Sequence, residues 1–399
     1  MRIFFVITHL YGKRALQHAF FYIYRMELKE YLEAYRPASE IVSHESGRLG
    51  GFVHFYNEDF RAELFSYDVF IVGVPEGRRS VNNETCGLAP DKIRESLYDL
   101  YRGDWSSSIL DLGNLRIGND VDDTYVALKE LVTFLVQKKK CLLVLGGGHD
   151  LITPIYRGHA SYGNLLNFAS LDAYLDFQDG DEHHSKSFLS PLLASDDSLI
   201  SQYTLLGYQS YLCSPQELQL LEQMDVNLLR LAEVNADIRE TEPCLRGLDH
   251  LSVDVSVVKS SEAPASEHAS PNGISAADLC AMLRYAGMSP ALNSVLLSEL
   301  NPLLDLNNQS AKAFAQAIWY FLEGYEMRSD DLADQELNNF QKFHVSSEWS
   351  DLVFYKSKDS SRWWVQLPLK DSLLPCSFLD YKKAIDGLIS DRIVRYLKF

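Results

Sequence analysis

The sequence predicts an α/β fold: a three-layer α/β/α arrangement around a mainly parallel sheet, with N- and C-terminal extensions. Three observations support this. Short apolar runs of strand length alternate with stretches of helical spacing over most of the chain, which is the pattern of a parallel sheet covered on both faces. Three runs are followed at once by acids and histidine: Leu145-Gly146-Gly147-Gly148-His149-Asp150, Asp172-Ala173-Tyr174-Leu175-Asp176 and Ser252-Val253-Asp254-Val255-Ser256. In open α/β sheets, ligands bind at the carboxyl ends of strands. Finally, 399 residues with 46% hydrophobic and 12% aromatic content can bury a sizeable core, as one large α/β domain with additions or as two domains.

Taken in order, residues 1–60 carry a helical pattern, clearest from Ala15 to Tyr35, and form an N-terminal helical extension. The core, 61–326, opens with Val69 to Val74, an apolar run closed by Pro75 and read as a buried strand. Ala89 to Tyr101 reads as a helix with Pro90 in its first turn. Asp111-Leu112-Gly113-Asn114 leads to a helix over 123–139, whose Tyr125, Leu128, Leu131, Val132 and Leu135 keep helical spacing. Strands follow at 142–145, 165–171, 203–207, 226–231 and 250–253. A helix at 276–285, a strand at 294–300 and a helix at 310–325 complete the core. Residues 327–399, with strand-like blocks Leu352 to Tyr355 and Arg362 to Val365, form a C-terminal extension packed on that core.

The formal charge of −18 gives a nucleic-acid partner little support. Lys138-Lys139-Lys140, the longest basic run, reads as a helix end. The six cysteines, Cys86, Cys141, Cys213, Cys244, Cys280 and Cys376, contain no CxxC pair and fit free thiols in a reducing compartment. The opening run Ile3 to Ile7 is too short for a signal-peptide core. No apolar stretch approaches the ~20 residues of a membrane span. A cytoplasmic protein with no membrane partner is expected.

Carboxylates with an imidazole suit a manganese- or magnesium-type ion. His149, Asp172, Asp176 and Asp254 make such a four-ligand set, with the glycine run letting the backbone come close and aim His149. Any one of these residues alone is more often a cap or turn residue than a ligand; the three clusters together point to a metal crevice. The glycine run lacks the Lys-Ser/Thr ending of a P-loop.

The order and spacing of these clusters resemble the ureohydrolase (arginase, agmatinase, formimidoylglutamase) superfamily, whose pattern is Gly-Gly-Asp-His, Asp-Ala-His-x-Asp, Ser-x-Asp-x-Asp. Gly87 to Arg94, Asp111-Leu112-Gly113 and Glu299-Leu300-Asn301-Pro302 are similar to further family elements, so the resemblance covers residues 68–325. Gly146-Gly147-Gly148 and Arg362-Trp363-Trp364 look closest to the divergent formimidoylglutamase-like branch.

The resemblance implies an arginase-like fold, a manganese pair and hydrolysis of C–N bonds in small amidine or guanidino substrates. It also implies a homo-oligomer, trimeric or hexameric. One metal position is complete in His149, Asp172, Asp176 and Asp254. The other is eroded: Tyr174 and Ser256 stand where the family has His and Asp, and Lys259 falls where it usually has Asp. The manganese expectation is therefore one ion, or none. Lys259 would stand in for the absent cation or point to solvent. Asp172 or Asp254 would orient water. The family's catalytic glutamate is expected near Ser270 to Gly273, where no carboxylate occurs, with Glu262 and Glu267 slightly upstream. His183 and His184 are the candidate proton shuttle or, in an acidic loop, two surface histidines. The alternative to an amidine hydrolase is a catalytically degenerate protein that keeps the fold for binding or structure. A deacetylase-type hydrolase on the same fold would need an adjacent His pair and an Asp-x-His in the matching places, and they are absent.

Overall fold

The computed structural model describes residues 30–37, 47–57, 64–178, 183–329, 331–332, 337–346, 351–368 and 372–397. Among these, the principal sheet has 10 strands in the order β1-β4-β3-β5-β10-β9-β6-β7-β8, with β2 paired to β4. These are β1 (Leu32–Glu33), β2 (His54–Phe55), β3 (Val69–Gly73), β4 (Ile109–Leu115) and β5 (Cys141–Leu145), then β6 (Leu166–Leu171), β7 (Ile200–Tyr208), β8 (Asn227–Arg230), β9 (His250–Asp254) and β10 (Ser294–Ser298). Only the β1–β4 pairing is antiparallel in this sheet.

Alternate strand residues enter two cores, one on each face. Val69, Ile71, Leu143, Leu145, Val253 and Leu297 pack with helices Ala89–Tyr98, Ala276–Gly287 and Gln309–Glu326. Phe70, Val72, Leu142, Val144, Phe168 and Leu296 pack on the other side with helices Val121–Gln137 and Ile152–Ala160. The three-layer architecture follows from that alternation, since strands buried on both faces read as continuous apolar runs. Each fully buried aliphatic side chain contributes roughly 1.5–3 kcal/mol, and a Leu143→Ala cavity costs about 2–5 kcal/mol.

The differences from the sequence reading have local causes. The Ala15 to Tyr35 helix falls largely outside the described residues, and at its end Leu32–Glu33 is an edge strand rather than helix. β4 runs through Asp111-Leu112-Gly113-Asn114, where polar residues hide the strand pattern. Asp111 is tolerated there because Arg94 Nε and Nη2 donate to it at 2.8 and 3.0 Å. The helix expected to reach Tyr101 ends at Tyr98. β10 stops at Ser298 because Glu299 turns into the left-handed region with φ 62°. Helix Ile152–Ala160 emerges only in the structure.

A second sheet of 4 antiparallel strands, β11 (Phe340–Ser346), β12 (Asp351–Ser357), β13 (Trp363–Gln366) and β14 (Leu373–Cys376), lies in the C-terminal region. Trp363 stacks on Tyr381 with ring centroids 4.8 Å apart, while its neighbour Trp364 faces Phe340 on the opposite side. Arg246 joins this sheet to the core, donating to the Trp363 carbonyl at 2.7 Å and lying 4.5 Å over the Trp364 ring. Arg362 pairs with Glu242 at 3.3 Å. Among the described residues no helix is long and apolar enough to cross a membrane, and all six cysteines are free.

Candidate metal centre

Strand register brings the three sequence clusters together. Leu145 and Val253 both lie opposite Leu297, and Leu171 lies opposite Val253. The central strands β5, β10, β9 and β6 therefore end on one row. The chain leaving that row places His149, Glu299, Asp254 and Asp172 side by side. Gly146 and Gly147 make the first exit, with φ 74° and 80°. A Cβ on Gly147 would meet the Val74 and Glu76 carbonyl oxygens at 2.8 Å, so only glycine fits that turn. The 3-10 turn His149–Leu151 then presents the His149 ring to the carboxylates, with Phe188 packed edge-on against it.

His149 Nδ1 faces Asp176 Oδ2 at 2.8 Å, Asp172 Oδ2 at 3.1 Å and Asp254 Oδ2 at 3.7 Å. One donor atom from each of these four buried residues lies within 4.8 Å of the others. Burial alone would lower the His149 pKa, yet hydrogen bonds to Asp172 and Asp176 hold it well above its ordinary value. Burial, then the Asp172 charge, raises both Asp176 and Asp254 well above the carboxylate range. Three buried acids crowd one imidazole, and a cation at their centre would relieve the repulsion. Their oxygen and nitrogen donors fit a manganese-type ion.

The other ring nitrogen is tied into the sheet. His149 Nε2 meets Ser252 Oγ at 2.9 Å, Ser252 meets Ser170 Oγ at 2.6 Å, and Ser170 is hydrogen-bonded to the Tyr203 hydroxyl. This chain fixes the ring so that Nδ1 faces the acids. Asp150, next to His149, turns away to accept from the Tyr125 hydroxyl, and burial pushes it up to about 7.

The pocket beside these ligands is lined by Tyr174, Ser256, Lys186, His268 and Glu299 together with Asp176 and Asp254. Glu299 is braced at both oxygens: Oε1 accepts from the His149 backbone at 2.8 Å, and Oε2 accepts from Asn83 Nδ2 at 2.8 Å and from Ser80. Tyr174 and Ser256, which the resemblance implied for an eroded second position, both line this pocket. Lys259 does not: its Nζ pairs with Glu262 at 2.6 Å, about one-third exposed, outside the pocket lining. The ammonium in the pocket belongs to Lys186, 5.6 Å from the centre of the Tyr174 ring.

His183 and His184 do not line the pocket either. His183 sits edge-on to Tyr125 with ring centroids 6.0 Å apart, its Nε2 buried without a partner, and burial and the Arg79 charge lower it to about 4. His184 shapes its turn, accepting from the Lys186 backbone at 3.2 Å and donating its own N–H to Ser187 Oγ at 3.0 Å. The imidazole that does line the pocket is His268, 5.7 Å from Tyr174 between ring centres, with its Nε2 buried and unpartnered.

This geometry has known counterparts. The model of the arginase family matches residues 67–323. The chain belongs to the arginase family. Formimidoylglutamase of Lysinibacillus sphaericus is 24% identical over 274 residues, covering 65% of this chain and 83% of that protein. The Klebsiella pneumoniae formimidoylglutamase is 26% identical over 279 residues, covering 66% and 87%. The crystal structure of Trypanosoma cruzi formiminoglutamase with manganese superposes with a TM-score of 0.63 at 21% identity, over 67% of this chain and 97% of that one. Formimidoylglutamase of Bacillus subtilis gives 0.63 at 18% identity, over 69% and 91%. These two structures establish the arginase-family fold, and the family match leaves the C-terminal sheet outside it.

Sequence reasoning missed three pocket residues of this arginase-family chain. Glu299 was visible in its Glu-x-Asn-Pro phrase but had no role, and the glutamate was sought near residue 270 instead. Glu262 is committed to Lys259 and to the Ala276 backbone, and Glu267 does not line the pocket. His268 and Lys186 lie in polar loops with no local signal.

Proposed function

We propose that the chain hydrolyses a C–N bond in a small linear amidine or guanidino substrate, using one manganese ion held by His149, Asp172, Asp176 and Asp254. The carrying observation is the convergence of these four buried donors within 4.8 Å, at the carboxyl ends of the central strands. A bound divalent ion would acidify a water and polarise the substrate. The names of the relatives, formimidoylglutamases, support the substrate class.

The chain's own groups divide the rest of the work. Asp172 and Asp254 orient the attacking water. Glu299, fixed at both oxygens, faces the cationic amidinium across the pocket. His268 takes the proton-carrying role expected of His183 or His184, because its free Nε2 lies at the pocket wall. Residues 61–326 carry the catalysis, and 327–399 form a packed extension. The six free cysteines agree with a cytoplasmic setting.

The test is release of ammonia, formamide or urea from a panel of amidines and guanidines, including N-formimino-glutamate, with manganese supplied. Turnover that needs manganese and disappears in His149→Ala supports the reading. A folded chain that binds no manganese and releases no product overturns it in favour of a degenerate binding protein, the reading that Tyr174 and Ser256 favour.

A further inference from the structure

The two carboxylates that a second ion would share with the first are already committed on its side. Asp172 turns Oδ2 to His149, while its Oδ1 accepts the Tyr174 N–H at 2.9 Å and the Ser256 hydroxyl at 3.2 Å. Asp254 does the same: Oδ2 faces His149 and Oδ1 accepts the Ser256 N–H at 2.7 Å. Each Oδ1 thus already accepts hydrogen bonds on this side, two at Asp172 and one at Asp254. The pocket beyond them is bordered by the Tyr174 ring, with His268 5.7 Å from it between ring centres and the Lys186 ammonium 5.6 Å from its centre.

We propose that the Lys186 ammonium takes the electrostatic place of a second divalent ion, making this a one-ion pocket by construction. The assignment rests on the reading above that the first position holds manganese. The charges agree with it. Asp172, Asp176, Asp254 and Glu299 bring four negative charges when ionised. One divalent ion and Lys186 together bring three positive charges, leaving one negative charge to receive a cationic amidinium. A second divalent ion beside Lys186 would bring five positive charges against four negative and leave no net negative charge for a cationic amidinium. Lys259 cannot substitute, because its charge is spent on Glu262.

The experiment installs donors and then removes the lysine. In the full-length chain, Tyr174→His with Ser256→Asp supplies the ligands of a second position. Manganese per folded chain is counted by elemental analysis, and the electron paramagnetic resonance signal distinguishes isolated ions from coupled pairs. With Lys186 present, or replaced as Lys186→Arg, the double variant is expected to hold one ion. Adding Lys186→Met is expected to raise it to two, with a coupled spectrum. Two ions with Lys186 in place, or one ion after Lys186→Met, overturns the assignment. The single variant Lys186→Met is read as well, in case the combined variants do not fold. It should bind its first manganese about ten-fold more tightly, because a repelling charge is gone, and an unchanged Kd overturns the assignment. A wild-type chain without manganese overturns the functional reading instead. Lys186 is then judged by whether Lys186→Met adds an ion to the double variant: one ion more supports it, no change overturns it.

Discussion

On one side of the pocket, His149, Asp172, Asp176 and Asp254 bring an imidazole and three carboxylates to a common point. On the other, Tyr174, Ser256, Lys186 and His268 bring two hydroxyls, an ammonium and an unpartnered imidazole. Asp172 belongs to both sides, and its two oxygens show the division: Oδ2 faces His149, and Oδ1 is taken up by N–H and O–H donors. The first side has Asp176 and Asp254 raised by burial and then by the Asp172 charge, and a ring locked by a hydroxyl chain, an arrangement that gains from a cation. On the second, the Asp172 and Asp254 Oδ1 atoms accept hydrogen bonds from Tyr174 and Ser256, and Lys186 lines the same pocket.

The largest break in this comparison should come from the first side. His149→Ala removes the central donor, and manganese binding should be lost together with several kcal/mol of catalysis, on the order of 10³-fold in rate. Elemental analysis and the amidine assay read both. A variant that keeps its metal and its rate would show that the four donors are not the site. Ser252→Ala leaves all four donors in place but frees the ring, and should weaken manganese binding about 10–100-fold by titration calorimetry. An unchanged affinity would mean that the hydroxyl chain only fills space.

A smaller effect separates the pocket from the fold beneath it. His159 Nε2 and His250 Nδ1 both bond to Ser294 Oγ at 2.8 Å under the sheet. Burial lowers His159 to about 3 and His250 well below its ordinary value. The folded state resists their protonation, so this stability is complete above the ordinary histidine value near ~6.5 and drains as pH falls from there. His159 alone should cost about 1.4 kcal/mol per pH unit in that window. Asp150, Asp176 and Asp254 are raised and titrate with the opposite sign in this window. The check is therefore the difference in urea midpoint between the parent and His159→Gln at successive pH values, and a difference that does not change with pH would refute it. The smallest effect belongs to Lys259→Ala. Its exposed pair with Glu262 should contribute less than about 1 kcal/mol, and manganese binding should be unchanged. A loss of metal affinity there would return Lys259 to the site.

Much of this was legible in the sequence, for identifiable reasons. Strands buried on both faces keep continuous apolar runs, so β3, β5, β6, β9 and β10 stood out, and the ligands follow three of them directly. β4 was obscured because Asp111 is paid for by Arg94, a partner seventeen positions earlier in the chain. The four donors could be named because histidine and aspartate directly after strands have few other uses in such number. Lys186, His268 and Glu299 could not be assigned, because their roles depend on which loops return over the sheet. Lys259 and Lys186 show the limit plainly: the aligned lysine pairs outward with Glu262, while one from another loop reaches the pocket.

The central claim is one ion, held on one side. A crystal structure of the manganese-loaded protein with anomalous data at the manganese edge tests it most directly. The account predicts one peak per chain, bounded by His149 Nδ1 and the Oδ2 atoms of Asp172, Asp176 and Asp254, with none between Tyr174 and Ser256. A second peak beside Ser256, or no peak at His149, would contradict it.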